Sequence, residues 1–186
     1  MKCIKSIFFS IIGLIVLAVL VLWGLGHRPG AGTFEVSIMI NRTPAEIFPL
    51  LLDESMTKKW VSAIVKIDEL TPLPAHVGTK IVITEKISGQ TVVIDEEISG
   101  LKPPFLKQYI SRGTRDPASS FTEYGEYELQ PKDGGTLFTM RSKIEYHGFL
   151  YSLLEPILTM SVREKFAGDL QTLKKLAESQ PPTATK

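Results

Sequence analysis

The stretch from Phe149 to Ser179 constrains this chain most. Leu150, Leu153, Leu154, Ile157, Ser161, Phe166, Leu170, Leu173 and Leu176 recur mostly every three or four residues, a spacing that predicts one long helix with a single buried stripe. Arg163, Glu164, Lys165, Asp169, Lys174 and Lys175 fall mostly on its remaining surface. A long helix with one apolar face must bury that face against something. Seven strand-like runs precede it and can supply a sheet. The expected class is α+β, a sheet gripping the helix, and the question is whether the space between them is filled or hollow.

Thr33 to Ile40 alternates, with Phe34, Val36, Ile38 and Ile40 on one face. Thr43-Pro-Ala-Glu46 has capping-box spacing and opens a short helix expected to reach Leu52, with Pro49 awkward inside it. Asp53 to Lys59 reads as a polar connection closed by Trp60. Further strands are expected over Val61–Leu70, Thr79–Ser88, Thr91–Ser99, Leu106–Arg112, Phe121–Gln130 and Thr136–Tyr146. Short turns between them, such as Gly89-Gln90 and Lys132-Asp-Gly-Gly, make an antiparallel meander. Gly113 to Ser120 reads as a loop, and Pro156 places the start of the long helix in question.

Ahead of this domain, Ile7 to Leu25 carries no charge, one Ser and two Gly. These nineteen residues would extend about 28 Å as a helix, close to a bilayer's hydrocarbon thickness. That core is longer than a signal peptide's, and Trp-Gly-Leu-Gly-His-Arg is a poor cleavage context, so the reading is an uncleaved anchor. Lys2 and Lys5 before it, against Arg28 after it, place the domain outside, periplasmic or extracellular. The division is residues 1–32 anchor and linker, 33–179 domain, and 180–186 a frayed tail.

Composition removes several function classes. The formal charge is +1 and no basic run exceeds two residues, so nothing suggests nucleic acid. Cys3 is the one cysteine, which excludes an intrachain disulfide and a cysteine-based zinc site. His27, His76 and His147 form no metal or triad motif, and no glycine-rich nucleotide loop is present. No cofactor, metal or catalytic residue is assigned.

Ile38-Met-Ile-Asn-Arg-Thr-Pro-Ala-Glu-Ile-Phe, Trp60 with the strand after it, Gly134-Gly-Thr-Leu-Phe-Thr-Met-Arg-Ser-Lys-Ile-Glu-Tyr, and the ending Leu170-Gln-Thr-Leu-Lys-Lys-Leu-Ala-Glu together resemble the helix-grip superfamily. Its members include the birch-pollen-allergen-like proteins, START lipid-transfer domains and the polyketide cyclase/dehydrase group. The resemblance covers roughly Thr33 to Ser179. It implies a seven-stranded antiparallel sheet around the C-terminal helix and a hydrophobic cavity for a lipid, sterol or polyketide. One fold hosts many functions, so the site must carry the rest.

The charged residues within the strands are the sharpest local signal. Period two groups Val92, Ile94, Glu96 and Ile98; Leu106, Gln108, Ile110 and Arg112; Phe121, Glu123, Gly125, Tyr127 and Leu129; and Phe138, Met140, Ser142, Ile144 and Tyr146. Facing inward, Glu96, Arg112, Glu123 and Ser142 would form a polar end in an apolar pocket. Trp60, Phe121, Tyr127, Phe138, Met140 and Tyr146 would add apolar and aromatic walls, and Leu153, Ile157 and Ser161 the helix's share. The expectation is a membrane-anchored binder of a lipid-like or other hydrophobic small molecule. The alternatives are a cyclase or hydrolase using Glu96 or Glu123 as base, and a filled protein-interaction domain at the membrane. The oligomeric state is left open.

Overall fold

The computed structural model describes residues 2–26, 28–87, 89–116 and 119–181. Its elements are α1 (Lys2–Gly26), β1 (Thr33–Ile40), α2 (Pro44–Ile47), α3 (Glu54–Trp60), β2 (Ile64–Glu69), β3 (Lys80–Ile87), β4 (Gln90–Lys102), β5 (Leu106–Asp116), β6 (Ser119–Lys132), β7 (Gly135–His147) and α4 (Phe149–Ser179). The seven strands form one sheet in the order β1-β7-β6-β5-β4-β3-β2. Every neighbouring pair is antiparallel. β2 to β7 meander, and β1 joins the far side by pairing with β7. With α4 packed on β1, β6 and β7, this is the expected helix-grip architecture. The tail expected from Gln180 lies outside the described residues beyond Pro181.

Local chemistry explains where the boundaries differ from expectation. The Glu46 carboxylate accepts from Thr43 N and Oγ1, both at 2.8 Å, so the capping box forms. The helix it opens lasts one turn and passes into a 3-10 turn over Phe48–Leu51, because Pro49 has no N–H to continue the ladder. α3 was not expected. Asp53 caps it by accepting from Met56 N at 3.0 Å, and seven residues are too few to show a period. It shortens β2 at its start. β5 and β6 run into the expected Gly113–Ser120 loop, where Gly113 pairs with Phe121 and Thr114 with Ser120. Pro156 lies inside α4 without ending it.

Most buried apolar side chains fall into two clusters. The larger joins Ile40, Ile47, Phe48, Leu50, Leu51 and Trp60 to Tyr127, Leu129, Phe138 and Met140 of the sheet and to Leu170, Leu173 and Ala177 of α4. The smaller consists of Ile67, Ile83, Val92 and Ile94, with Ile64, Ile81 and Phe121 against it. No side chain of α4 belongs to the second cluster. The space left between that part of the sheet and the helix is the candidate site.

Candidate functional site

β-strand alternation decides which side chains enter this space. On β4, Val92, Ile94, Glu96 and Ile98 are buried, as expected. On β6, Glu123 and Tyr127 are buried and face the same way. Directly paired residues of antiparallel strands share a face, and Ser111 pairs with Glu123 while Tyr109 pairs with Gly125. The inward set of β5 is therefore Lys107, Tyr109 and Ser111. This corrects the expected face of β5: Arg112 is exposed on the opposite side. Leu106, Gln108, Ile110 and Arg112 gave an equally good period, and a one-residue shift moves a whole strand's side chains across the sheet.

The cavity has a volume of about 110 Å³. Ile64, Ile67, Ile81, Ile83, Ile94 and Ile98 form much of its wall, with Trp60, Tyr109 and Tyr127 on one side and Phe166 from α4. Glu69, Thr71, Leu73 and Ala75 of the β2–β3 segment and Glu54 and Thr57 of α3 also border it. Leu73 is largely exposed, which puts the mouth at this rim.

Two buried carboxylates with different partners meet at the cavity. Lys107 Nζ donates to Glu96 Oε1 at 3.1 Å, and Ser111 Oγ donates to Glu96 Oε2 at 3.2 Å. The ammonium also lies 5.4 Å and 5.7 Å from the Tyr109 and Tyr127 ring centres, within cation–π range. Glu96 is thus an ion pair with a hydrogen-bonded second oxygen, the condition under which a buried charge is tolerable. Glu123 receives only hydroxyls at Oε1, from Ser142 at 2.8 Å and Tyr109 at 3.2 Å. Burial pushes its carboxyl up to about 7, and those two hydrogen bonds oppose the rise. Glu85, on the rim beside Lys165 at 3.7 Å, is also raised by burial, with Lys165 opposing. Lys165 bonds Asp169 at 3.0 Å, and Asp169 accepts from Ser62 N at 3.0 Å, which ties α4 to the start of β2.

Aromatic side chains of the larger cluster also form one wall of the cavity. Trp60 donates from Nε1 to Leu50 O at 3.1 Å and stands edge-on to Tyr127 at 6.2 Å. Tyr127 in turn meets Tyr109 at 5.3 Å and Phe138 at 5.6 Å. Burial drives both tyrosine hydroxyls well above their ordinary range, so they act as neutral donors and acceptors.

Of the residues expected at the site, Trp60, Glu96, Glu123 and Tyr127 border the cavity. Ser142 reaches it through Glu123. Phe138 and Met140 are buried in the larger cluster, and Phe121 packs beside the smaller one. Tyr146 packs on Tyr151 at 6.2 Å, and Leu153 is buried nearer the start of α4. Ile157 and Ser161 point outward, a second correction. In this part of α4 the buried residues are Leu153, Glu155 and Thr159, so a stripe chosen by apolarity placed Leu153 but missed the two polar positions. Lys107, Tyr109, Ser111, Glu85 and Phe166 were not anticipated. The signal for three of them was the alternating Lys-Gln-Tyr-Ile-Ser run, with its aromatic centre. No cluster of His, Cys, Asp and Glu among the described residues has metal-binding geometry.

The family model for polyketide cyclase / dehydrase and lipid transport matches residues 31–178. A conserved protein from Geobacillus kaustophilus superposes with a TM-score of 0.66 at 18% identity, covering 78% of this chain and 95% of its own. Ara h 8.0201 gives 0.61 at 19%, covering 80% and 98%. DynU16, from the dynemicin biosynthetic locus, gives 0.58 at 11%, covering 81% of this chain and 49% of its own. At these identities the likeness concerns the fold. Comparison with curated proteins gives no significant match. The matched model spans most of the chain and the architecture agrees with it, so the chain belongs to the polyketide cyclase / dehydrase and lipid transport family.

Proposed function

We propose that residues 33–179 bind a hydrophobic, lipid-like small molecule and that residues 1–32 anchor this domain to a membrane, with the domain on the periplasmic or extracellular side. The observation that carries the binding reading is the buried polar group set at one part of an otherwise apolar cavity. Glu96, Lys107, Ser111 and Glu123 would orient a polar end, and the isoleucine wall with Phe166 would take the apolar part. The volume of about 110 Å³ is below the roughly 300–1,000 Å³ usual for drug-sized ligands. The closed form therefore accommodates a ligand's end, and the remainder passes the Leu73 and Ala75 rim or displaces α3. Membrane attachment is supported by α1, in which Phe9–Gly26 is long and apolar enough to cross a bilayer and none of it is buried. A signal sequence would satisfy the same test; the length of the apolar core favours an anchor.

Glu123 supports a second reading. A buried carboxyl raised to about 7 is matched to proton transfer near neutral pH, as a cyclase-type base would need. One experiment addresses both. The full chain and Glu123→Gln are purified from membranes, and bound small molecules are identified by mass spectrometry. Binding predicts the same hydrophobic compound in both proteins. Different masses in the two indicate turnover. Absence of any compound from both, together with no uptake of a fluorescent fatty acid, overturns the ligand-binding proposal.

A further inference from the structure

α1 is not joined to the domain by a loose tether. Pro156 has no N–H, so the Ser152 carbonyl lacks its helical donor. Gly26, the last residue of α1, lies against that carbonyl: a Cβ there would sit 2.6 Å from Ser152 O. Two residues on, Arg28 Nη1 bonds Leu25 O at 2.8 Å and faces Glu155 Oε2 at 3.9 Å. The buried Glu155 accepts at Oε1 from Gly32 N at 2.6 Å and from Thr159 Oγ1 at 2.8 Å. Gly32 has φ of 75° and passes tightly over Ile144, whose N–H bonds its carbonyl at 2.9 Å. A side chain at Gly32 would strike Ile144 O. The end of α1, the connection and the first half of α4 form one bonded unit.

The outward side of that half is apolar. Phe149, Leu150, Ile157 and Met160 are 74%, 57%, 48% and 55% exposed. At 100° per residue they lie within about a quarter to a third of the helix circumference. Continuing along the same line, the exposed residues become Glu164, Gln171 and Lys175. The change from apolar to charged falls at exposed Arg163, one turn past Met160. Four large apolar side chains together on water are unusual for a soluble surface, and an interfacial helix buries such a face at the headgroup boundary.

We propose that the outward face of Phe149–Met160 docks on the surface of the bilayer that α1 spans, holding the domain in one orientation. This rests on reading α1 as a membrane span. The occupant is lipid because the face is continuous with the end of α1 and fades to charge with distance from it.

The test uses the full chain with Cys3→Ser, reconstituted in phosphatidylcholine–phosphatidylglycerol vesicles. Met160→Cys, Ile157→Cys or Gln171→Cys is labelled with the environment-sensitive dye NBD. Docking predicts blue-shifted emission and quenching by brominated phosphatidylcholine at positions 160 and 157, with neither at 171. All three positions lie on the surface, so labelling spares the core. If the chain resists alkaline extraction but all three labels report water, the anchor stands and docking is overturned. If alkaline treatment releases the chain, the anchor reading fails and this inference falls with it. A blue shift without lipid quenching, accompanied by disulfide cross-linking through unlabelled Met160→Cys, assigns the face to a second copy and also overturns it.

Discussion

Between Leu170 and Ala177, α4 fills the space against the sheet's core; beside Phe166, which packs on Phe34 at 5.7 Å and on the edge of that core, it leaves a cavity. In the first region Phe138, Leu173 and Ile40 are fully buried and fill the space from both sides. In the second, Ile67, Ile83, Val92 and Ile94 present an apolar wall, and the opposing helix contributes Phe166 alone. Close packing is the rule in protein interiors, and voids larger than a water are few. Departure from it here coincides with Glu96, Lys107 and Glu123, groups that a plain core would avoid. One half of the interior is filled, and under the proposed function the other holds polar groups for an incoming molecule.

Truncation would break or sharpen this contrast most strongly. Phe138→Ala is expected to cost about 3–5 kcal/mol, because its neighbours cannot collapse into the gap. Ile83→Ala should cost no more than about 2 kcal/mol, since the side chain already borders a void. Thermal or denaturant unfolding of the full chain in detergent measures both. Equal losses would mean that the second region is packed like the first.

The next effect depends on pH. Glu123 titrates near 4.5 when unfolded and is raised to about 7 in the fold, chiefly by burial. Ionisation therefore penalises the folded state increasingly as pH rises from about 4.5 through 7, and the penalty is complete above that. Glu123→Gln removes it. The variant should exceed the wild-type stability by up to about 3 kcal/mol at alkaline pH, because each tenfold difference in proton affinity between the folded and unfolded chain is worth about 1.4 kcal/mol. The gain should vanish below about pH 4, where both states of the wild type are protonated. A pH-independent difference would place Glu123 in a solvated setting instead.

Much of this contrast was legible before the structure. Period two put Glu96 and Glu123 inward among apolar neighbours, and the capping box at Thr43 located α2. The filled half was visible in Leu170 and Leu173. What escaped has physical causes. On β5, two faces of similar polarity competed, and only pairing with β6 chose Lys107 over Arg112. On α4, Leu153 is buried as expected, but Leu150 and Ile157 of the same stripe are exposed while Glu155 and Thr159 are buried, so amphipathicity placed only part of the first half. The exposed apolar residues of this half, Phe149, Leu150, Ile157 and Met160, lie on the part of α4 that meets the end of α1. α3 was hidden because one cap and seven residues carry almost no periodic signal.

The most direct test fills the hollow half. Ile83→Phe adds a ring where the cavity has room and leaves Glu96, Lys107 and Glu123 in place. Uptake of a fluorescent fatty acid by this variant is compared with the wild type, with unfolding followed in parallel. Ile83→Phe is expected to keep or gain stability and to lose most of its uptake. Undiminished uptake by a stably folded Ile83→Phe would contradict binding in this cavity and place the ligand elsewhere than between α4 and this half of the sheet.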